Sequence, residues 1–163
     1  MKISGGRKDL LKILKNGKEL LDILEIAGGA LSEKKASSLN ILALAFIGDS
    51  VHTLYVRTKN VETHDALINE LHRMTSGRVN ARAQAADAER ILPSLSEEEH
   101  DIYRRARNAK INTAAKNASI AEYKKATGLE AVIGYLYITG KEERLKALFR
   151  ELYPEDAAAR AKD

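Results

Sequence analysis

Apolar residues recur every three or four positions along most of this chain, two-residue alternation is scarce, and only Pro93 and Pro154 interrupt the pattern as prolines. That period is the repeat of an amphipathic helix, so it predicts an all-α protein. The first apolar run, DLLKIL (9–14), is echoed by ELLDIL (19–24). A shift of that length turns a straight helix through about 1000°, which sets the two apolar faces roughly 80° apart. The section therefore reads either as two short helices broken at Asn16-Gly17 or as one helix with a broad apolar face. Gly28-Gly29 closes it in both cases.

Further along, a long helix is expected from about Ser38 to Lys59. Helices over about Thr63 to Ser76 and Val79 to Leu92 follow, the latter stopped by Pro93. Ser96 with Glu99 three positions later has the pattern of a capping box, which starts a helix running to about Ala109. KINTAAKNAS (110–119) has no apolar stripe and reads as a basic loop. Helices over Ile120 to Ala126, Leu129 to Ile138 and Lys141 to Tyr153 complete the series. The tail PEDAAARAKD (154–163) holds too few large apolar groups to dock and is expected to be mobile.

Two acids interrupt otherwise apolar helices. LALAFIGDSV (42–51) contains Asp49 directly after Gly48, and LEAVIGYLYI (129–138) contains Glu130 with Gly134 one turn later. Glycine inside a helix costs roughly 1 kcal/mol against alanine, so both glycines suggest places where two helix backbones approach closely. A crossing there would bring Asp49 near Glu130. Two carboxylates at such a site repel each other unless a cation lies between them, and a hard divalent ion such as magnesium prefers oxygen ligands and keeps several waters. Either acid alone would also serve as half of a structural ion pair with one of the many lysines and arginines.

Composition narrows the picture. The chain has 163 residues, 44% hydrophobic and 31% charged, which suits one compact domain. It has no cysteine, which excludes disulfides and thiolate metal sites and fits a reducing cytoplasm. No apolar run approaches the roughly 20 residues that span a bilayer, so a soluble, cytoplasmic protein without a membrane partner is expected. The net charge is only +4, but between Ile102 and Lys125 the basic residues Arg104, Arg105, Arg107, Lys110, Lys116, Lys124 and Lys125 face a single acid, Glu122. Basic runs are often no more than solvated helix faces; here they also permit an acidic partner. With 5% aromatic residues and no tryptophan, a single-strand binder built on base stacking is disfavoured, and Tyr55, Tyr135 and Tyr137 read as core or interface residues. His52, His64, His72 and His100 form no metal set, although His52 lies within reach of Asp49 on the same helix. No GxSxG or P-loop pattern occurs, which removes serine hydrolysis and a nucleotide cofactor.

LNILALAFIGDSV (39–51) resembles the signature helix of the ribonuclease III family, and LEAVIGYLYI resembles the helix that carries that family's catalytic glutamate. The nearer likeness is to the short bacterial branch, Mini-ribonuclease III. LALAFIGDSVHTLYVR (42–57), VNARAQA (79–85) and RRARNAK (104–110) each resemble a motif of that branch, in order, and the resemblance extends from about Leu39 to Leu152. It implies an all-α endonuclease domain acting as a homodimer on double-stranded RNA. It further implies maturation of large-subunit (23S) ribosomal RNA precursors, with Asp49 and Glu130 as catalytic residues binding magnesium, for which manganese can substitute. Residues 38–153 would form the catalytic domain, residues 1–37 a helical extension, and 154–163 the tail.

The larger family has further acids where this chain has Ala45 and Thr127, which leaves a two-carboxylate site with more water ligands. No double-stranded-RNA-binding domain is expected to follow, so the catalytic domain itself must grip the RNA. Phosphates and 2′-hydroxyls call for Arg, Lys, Asn, Gln and Thr. The candidates are Arg78, Arg82 and Gln84 in one stretch, with Arg78 and Arg82 on one helix face, and Arg104, Arg105, Arg107, Asn108, Lys110 and Thr113 in another. Leu42, Phe46, Ile47 and Val51 are the candidate dimer interface, continued by Leu54. The competing reading is a noncatalytic ribonuclease-III-like protein that binds RNA or ribosomes, though a pure binder gains nothing from carboxylates where phosphates approach.

Overall fold

The computed structural model describes residues 23–110 and 117–156. Most of the 9–14/19–24 repeat, residues 111–116 with Thr113, and the tail beyond Asp156 lie outside the described residues. The chain divides into two compact units, Met1–Ala30 and Leu31–Asp163. In the first, α1 (Ile23–Ile26) is a single turn, closed by Gly28 and Gly29 at φ 114° and 87°.

The second unit is all helix among its described residues. It begins at Leu31, ahead of the 37/38 boundary expected from the sequence, because the Leu31 amide donates to Ile138 O at 2.9 Å and α2 (Glu33–Ser37) buries Ala36 completely. There follow α3 (Ile41–Thr63), α4 (Ile68–Val79), α5 (Ala81–Ile91), a 3₁₀ turn (Leu92–Ser94), α6 (Glu97–Arg107), α7 (Ile120–Ile138) and α8 (Glu142–Leu152). Helix α7 is the hub and packs against α3, α5, α6 and α8. Its residues Leu129, Ala131, Val132, Ile133, Tyr135 and Leu136 are each 0% exposed, as befits a helix apolar on every side. Tyr135 belongs to this core and donates its hydroxyl to Glu98 Oε1 at 2.5 Å.

Side-chain caps set most boundaries. Asn40 Oδ1 accepts from Leu42 N at the start of α3, and the Ser96/Glu99 capping box opens α6 as its spacing implies. Three details differ from the sequence expectation. Helix α3 runs on to Thr63, whose hydroxyl donates back to Lys59 O, so α4 starts later, at Ile68. Helix α7 is continuous where two helices were expected: Thr127 donates to Tyr123 O, and Gly128 leaves space for the Tyr103 ring, 2.5 Å from where a Cβ would sit. Finally, Asn80 is extended (φ −77°, ψ 157°) and caps α5 through Ala83 N. Arg78 and Arg82 therefore belong to different helices rather than one face.

A buried fork ties α6 to α8. Arg144 Nε and Nη2 donate to the two Glu99 oxygens, each at 2.8 Å, and Glu99 is 4% exposed. Arg144→Met strands that carboxylate and is expected to cost about 3 kcal/mol, read from the urea midpoint at unchanged m-value.

Candidate active site

Helices α3 and α7 cross at their glycines. A Cβ built on Gly48 would lie 1.7 Å from Glu130 O, and one on Gly134 would lie 1.9 Å from Leu44 O. The two backbones are thus in contact, as the sequence pattern suggested. Asp49 stands exposed at the edge of the crossing and Glu130 is half-buried beside it. Thr53 donates to Asp49 Oδ1 at 3.5 Å, one turn along α3.

Electrostatics connect the two acids. Burial, joined by the negative charge of Asp49, pushes the Glu130 carboxyl up to about 8, while a hydrogen bond from Gln84 pulls it down. Among the described residues neither acid forms an ion pair with a lysine or arginine. The structural-pair alternative therefore finds no partner there. Two adjacent carboxylates, one carrying an electrostatic penalty from the other, are a donor set suited to a hard divalent cation. No cluster of three or more His, Asp or Glu side chains able to hold a metal occurs among the described residues. Ala45 and Thr127 are both buried, so the donor set remains at two carboxylates.

The raised Glu130 value has a signed consequence. Between about 4.5 and about 8 the folded, metal-free protein holds a proton on Glu130 that the unfolded chain has released. The stability this supplies is complete below the unfolded value and lost as pH rises through the folded one. A divalent cation held by Glu130 would have to displace the same proton. Magnesium added in weak buffer near neutrality is expected to release about one proton per site, and none well above pH about 8; a pH electrode or indicator dye reads this directly.

The other sequence candidates are dispersed. Arg82 is exposed and 3.9 Å from Glu122. Arg104, Arg107, Asn108 and Lys110 are exposed at the end of α6. Arg104 pairs with Asp101 at 2.5 Å, and Arg105 donates to Ser37 O at 3.2 Å. One residue is a correction. Gln84, expected to face RNA, is 1% exposed and stands behind Glu130, because its position on α5 turns it toward α3 and α7. Arg78, still partly exposed, lays its guanidinium over the Tyr153 ring at 4.5 Å and lies 3.6 Å from Glu155, so it also braces the residues after α8. Phe46, at 78% exposed, leads a stripe with Leu54 and Val61 along the outer face of α3, while Leu42, Ile47 and Val51 are half-buried.

Sequence reasoning missed the engagement of His52. It is fully buried, 2.6 Å from the Tyr153 hydroxyl and 3.3 Å from Gln84 Nε2. A lone histidine among apolar neighbours gave no sign of partners so far along the chain. Asp156, at the start of the supposedly mobile tail, accepts from Tyr55 at 2.8 Å.

Comparison with known proteins adds a family. The profile described as Ribonuclease III domain matches residues 42–141, which includes both acids. A Thermoanaerobacter protein named Mini-ribonuclease 3 is 50% identical over 71% of this chain and 82% of its own. A Clostridium tetani protein of the same name is 40% identical over 80% of this chain and 89% of its own. A crystal structure of a Fusobacterium nucleatum protein superposes with a TM-score of 0.65 at 34% identity, over 69% of this chain and 92% of that one.

Proposed function

Because the chain belongs to the ribonuclease III family and is thereby an endoribonuclease, we propose that Asp49 and Glu130 hold magnesium for hydrolysis of double-stranded RNA, with 23S ribosomal RNA precursors as the substrate. The observation that carries the site is the glycine crossing, which brings together the backbones that bear two electrostatically coupled acids, neither with a cationic partner among the described residues. When bound, the ion supplies positive charge to the scissile phosphate and lowers the pKa of water for in-line attack. Asp49 and Glu130 fix where that charge sits, and Glu130 gives up its proton as the ion arrives. The bond that forms joins water oxygen to phosphorus, and the bond that breaks is the one to the 3′ oxygen.

The RNA lies along phosphate-reading residues that reach solvent: Arg82, Arg104, Arg107, Asn108 and Lys110, with Arg105 half-exposed beside them. Such contacts grip shape and backbone rather than sequence. Replacing Arg107 and Lys110 together by alanine is expected to weaken duplex binding and flatten its salt dependence, by about one unit of slope per lost phosphate contact. The Phe46 stripe is read as the surface where two copies meet in a homodimer. Phe46→Glu should shift the molar mass measured by light scattering toward the monomer without altering the helical signal.

The test is incubation of purified protein with long double-stranded RNA, single-stranded RNA and 23S precursor RNA, with magnesium or with EDTA. Magnesium-dependent cutting confined to the duplex supports the reading. Binding without cutting on every substrate would put the noncatalytic alternative in its place.

A further inference from the structure

Behind Glu130 runs a line of buried polar side chains that the reaction above leaves unused. Gln84 on α5 is 1% exposed, His52 on α3 is 0% and Tyr153 after α8 is 4%. Gln84 comes close enough to the Glu130 carboxyl to favour its charged form, its Nε2 lies 3.3 Å from His52 Nδ1, and His52 Nε2 lies 2.6 Å from the Tyr153 hydroxyl. We propose that Gln84, His52 and Tyr153 form a positioning relay that aims Glu130 at the cation. The proposal rests on Glu130 being a metal ligand.

Hydrogen bookkeeping gives the relay a direction. With a cation bound Glu130 is ionised and only accepts, so in that state Gln84 must turn its amino end, not its carbonyl, toward it. That nitrogen carries two hydrogens, and the second points at His52 Nδ1. His52 Nδ1 is then an acceptor, which places the single ring proton on Nε2, donated to the Tyr153 oxygen. A neutral ring is what the site imposes, since burial, helped by the charge of Arg78, pushes His52 down to about 4.

Tyr153 is itself held. Arg78 covers its ring, and Tyr55 and Phe149 pack against it with centroids 5.1 and 6.4 Å away. The segment after α8 is in this way connected to a carboxylate on α7 through one histidine and one amide. Outer partners of this kind fix the orientation of ligating side chains, and their loss typically weakens metal binding about 10- to 100-fold.

The full-length protein tests this through manganese affinity, read by the loss of the free-ion EPR signal, alongside thermal unfolding. Gln84→Met and His52→Leu are expected to weaken binding about tenfold while the protein stays folded. His52→Asn is expected to recover most of the loss, because its amide oxygen takes the place of Nδ1 as acceptor for Gln84. A purely structural role would let affinity follow the unfolding temperature and give no such rescue. Since His52→Leu removes a buried polar group and can fail to fold, 15N NMR of the unaltered protein saturated with magnesium provides a second readout, with Nε2 protonated and Nδ1 bare. A folded Gln84→Met that binds manganese like the wild type, or an Nδ1-protonated ring, overturns the relay. Asp49→Asn is the control for the underlying site: intact affinity in that variant removes the site reading and the relay with it, whereas loss there with none in Gln84→Met removes the relay alone.

Discussion

Glu130→Gln is expected to yield a folded protein that has lost duplex cleavage by at least about a thousandfold, the scale of several kcal/mol of lost transition-state charge stabilisation. The amide keeps the size and one oxygen of the side chain but cannot carry the charge that balances a divalent ion. The same change should stabilise the metal-free protein at alkaline pH. There the wild type must ionise the half-buried Glu130 carboxyl, whose folded value is about 8, and the glutamine has nothing to ionise. A gain of about 2 kcal/mol is expected from relief of that burial and repulsion, and it should shrink toward zero in mildly acidic solution, where Glu130 is protonated. Thermal melts across pH, set beside cleavage rates, check both halves. Asp49→Asn should likewise abolish cutting, and by removing the first acid's charge it should lower the Glu130 carboxyl part of the way, burial, the larger cause, being unchanged. A dead enzyme that is more stable than its parent separates a functional acid from a structural one; a structural acid would lose stability on substitution.

Gly48→Ala should be among the most damaging single methyl additions in the described chain. Its new Cβ would fall 1.7 Å from Glu130 O, with Gly134 N only 2.7 Å away. Both neighbours are backbone in the hub helix, so neither can turn aside, and the helices must separate. Overpacking usually costs about 1–3 kcal/mol; a clash with backbone at the centre of the fold is expected to exceed about 4 kcal/mol, the range reserved for a named steric cause. Gly134→Ala, at 1.9 Å from Leu44 O, should behave alike. Whatever fraction folds will hold Asp49 and Glu130 further apart and bind manganese less tightly. Gly77→Ala is the contrasting case, since a Cβ there meets nothing within 4 Å, and in helix α4 it should stabilise by about 0.5–1 kcal/mol. Urea titrations of the three variants test the ordering.

The crossing was legible in the sequence because an interior glycine in an apolar helix is costly and demands a reason, and the same reason applied to both Gly48 and Gly134. Local signals served equally well at Ser96, where a cap and its reciprocal glutamate are three residues apart. What escaped the sequence was set by distant partners. Gly128 looks like a helix break until the Tyr103 ring is seen to occupy the space where its side chain would be. At Asn80 the signal is local instead: the break expected between Ser76 and Val79 falls there, because its side chain caps α5, so the arginines on either side part company. Gln84 has the composition of an RNA contact, and only the packing of α5 against α7 turns it inward. His52 and Tyr153 meet across almost the whole domain, a pairing that no local pattern encodes.

On the proposed function, Asp49 and Glu130 together hold a divalent cation at the α3/α7 crossing. Crystals soaked in manganese and measured at the metal's absorption edge test it most directly. An anomalous peak in contact with both carboxylates is the expected result. A peak bound elsewhere, or Glu130 found paired with a lysine or arginine while the crossing stays empty at saturating manganese, would contradict it.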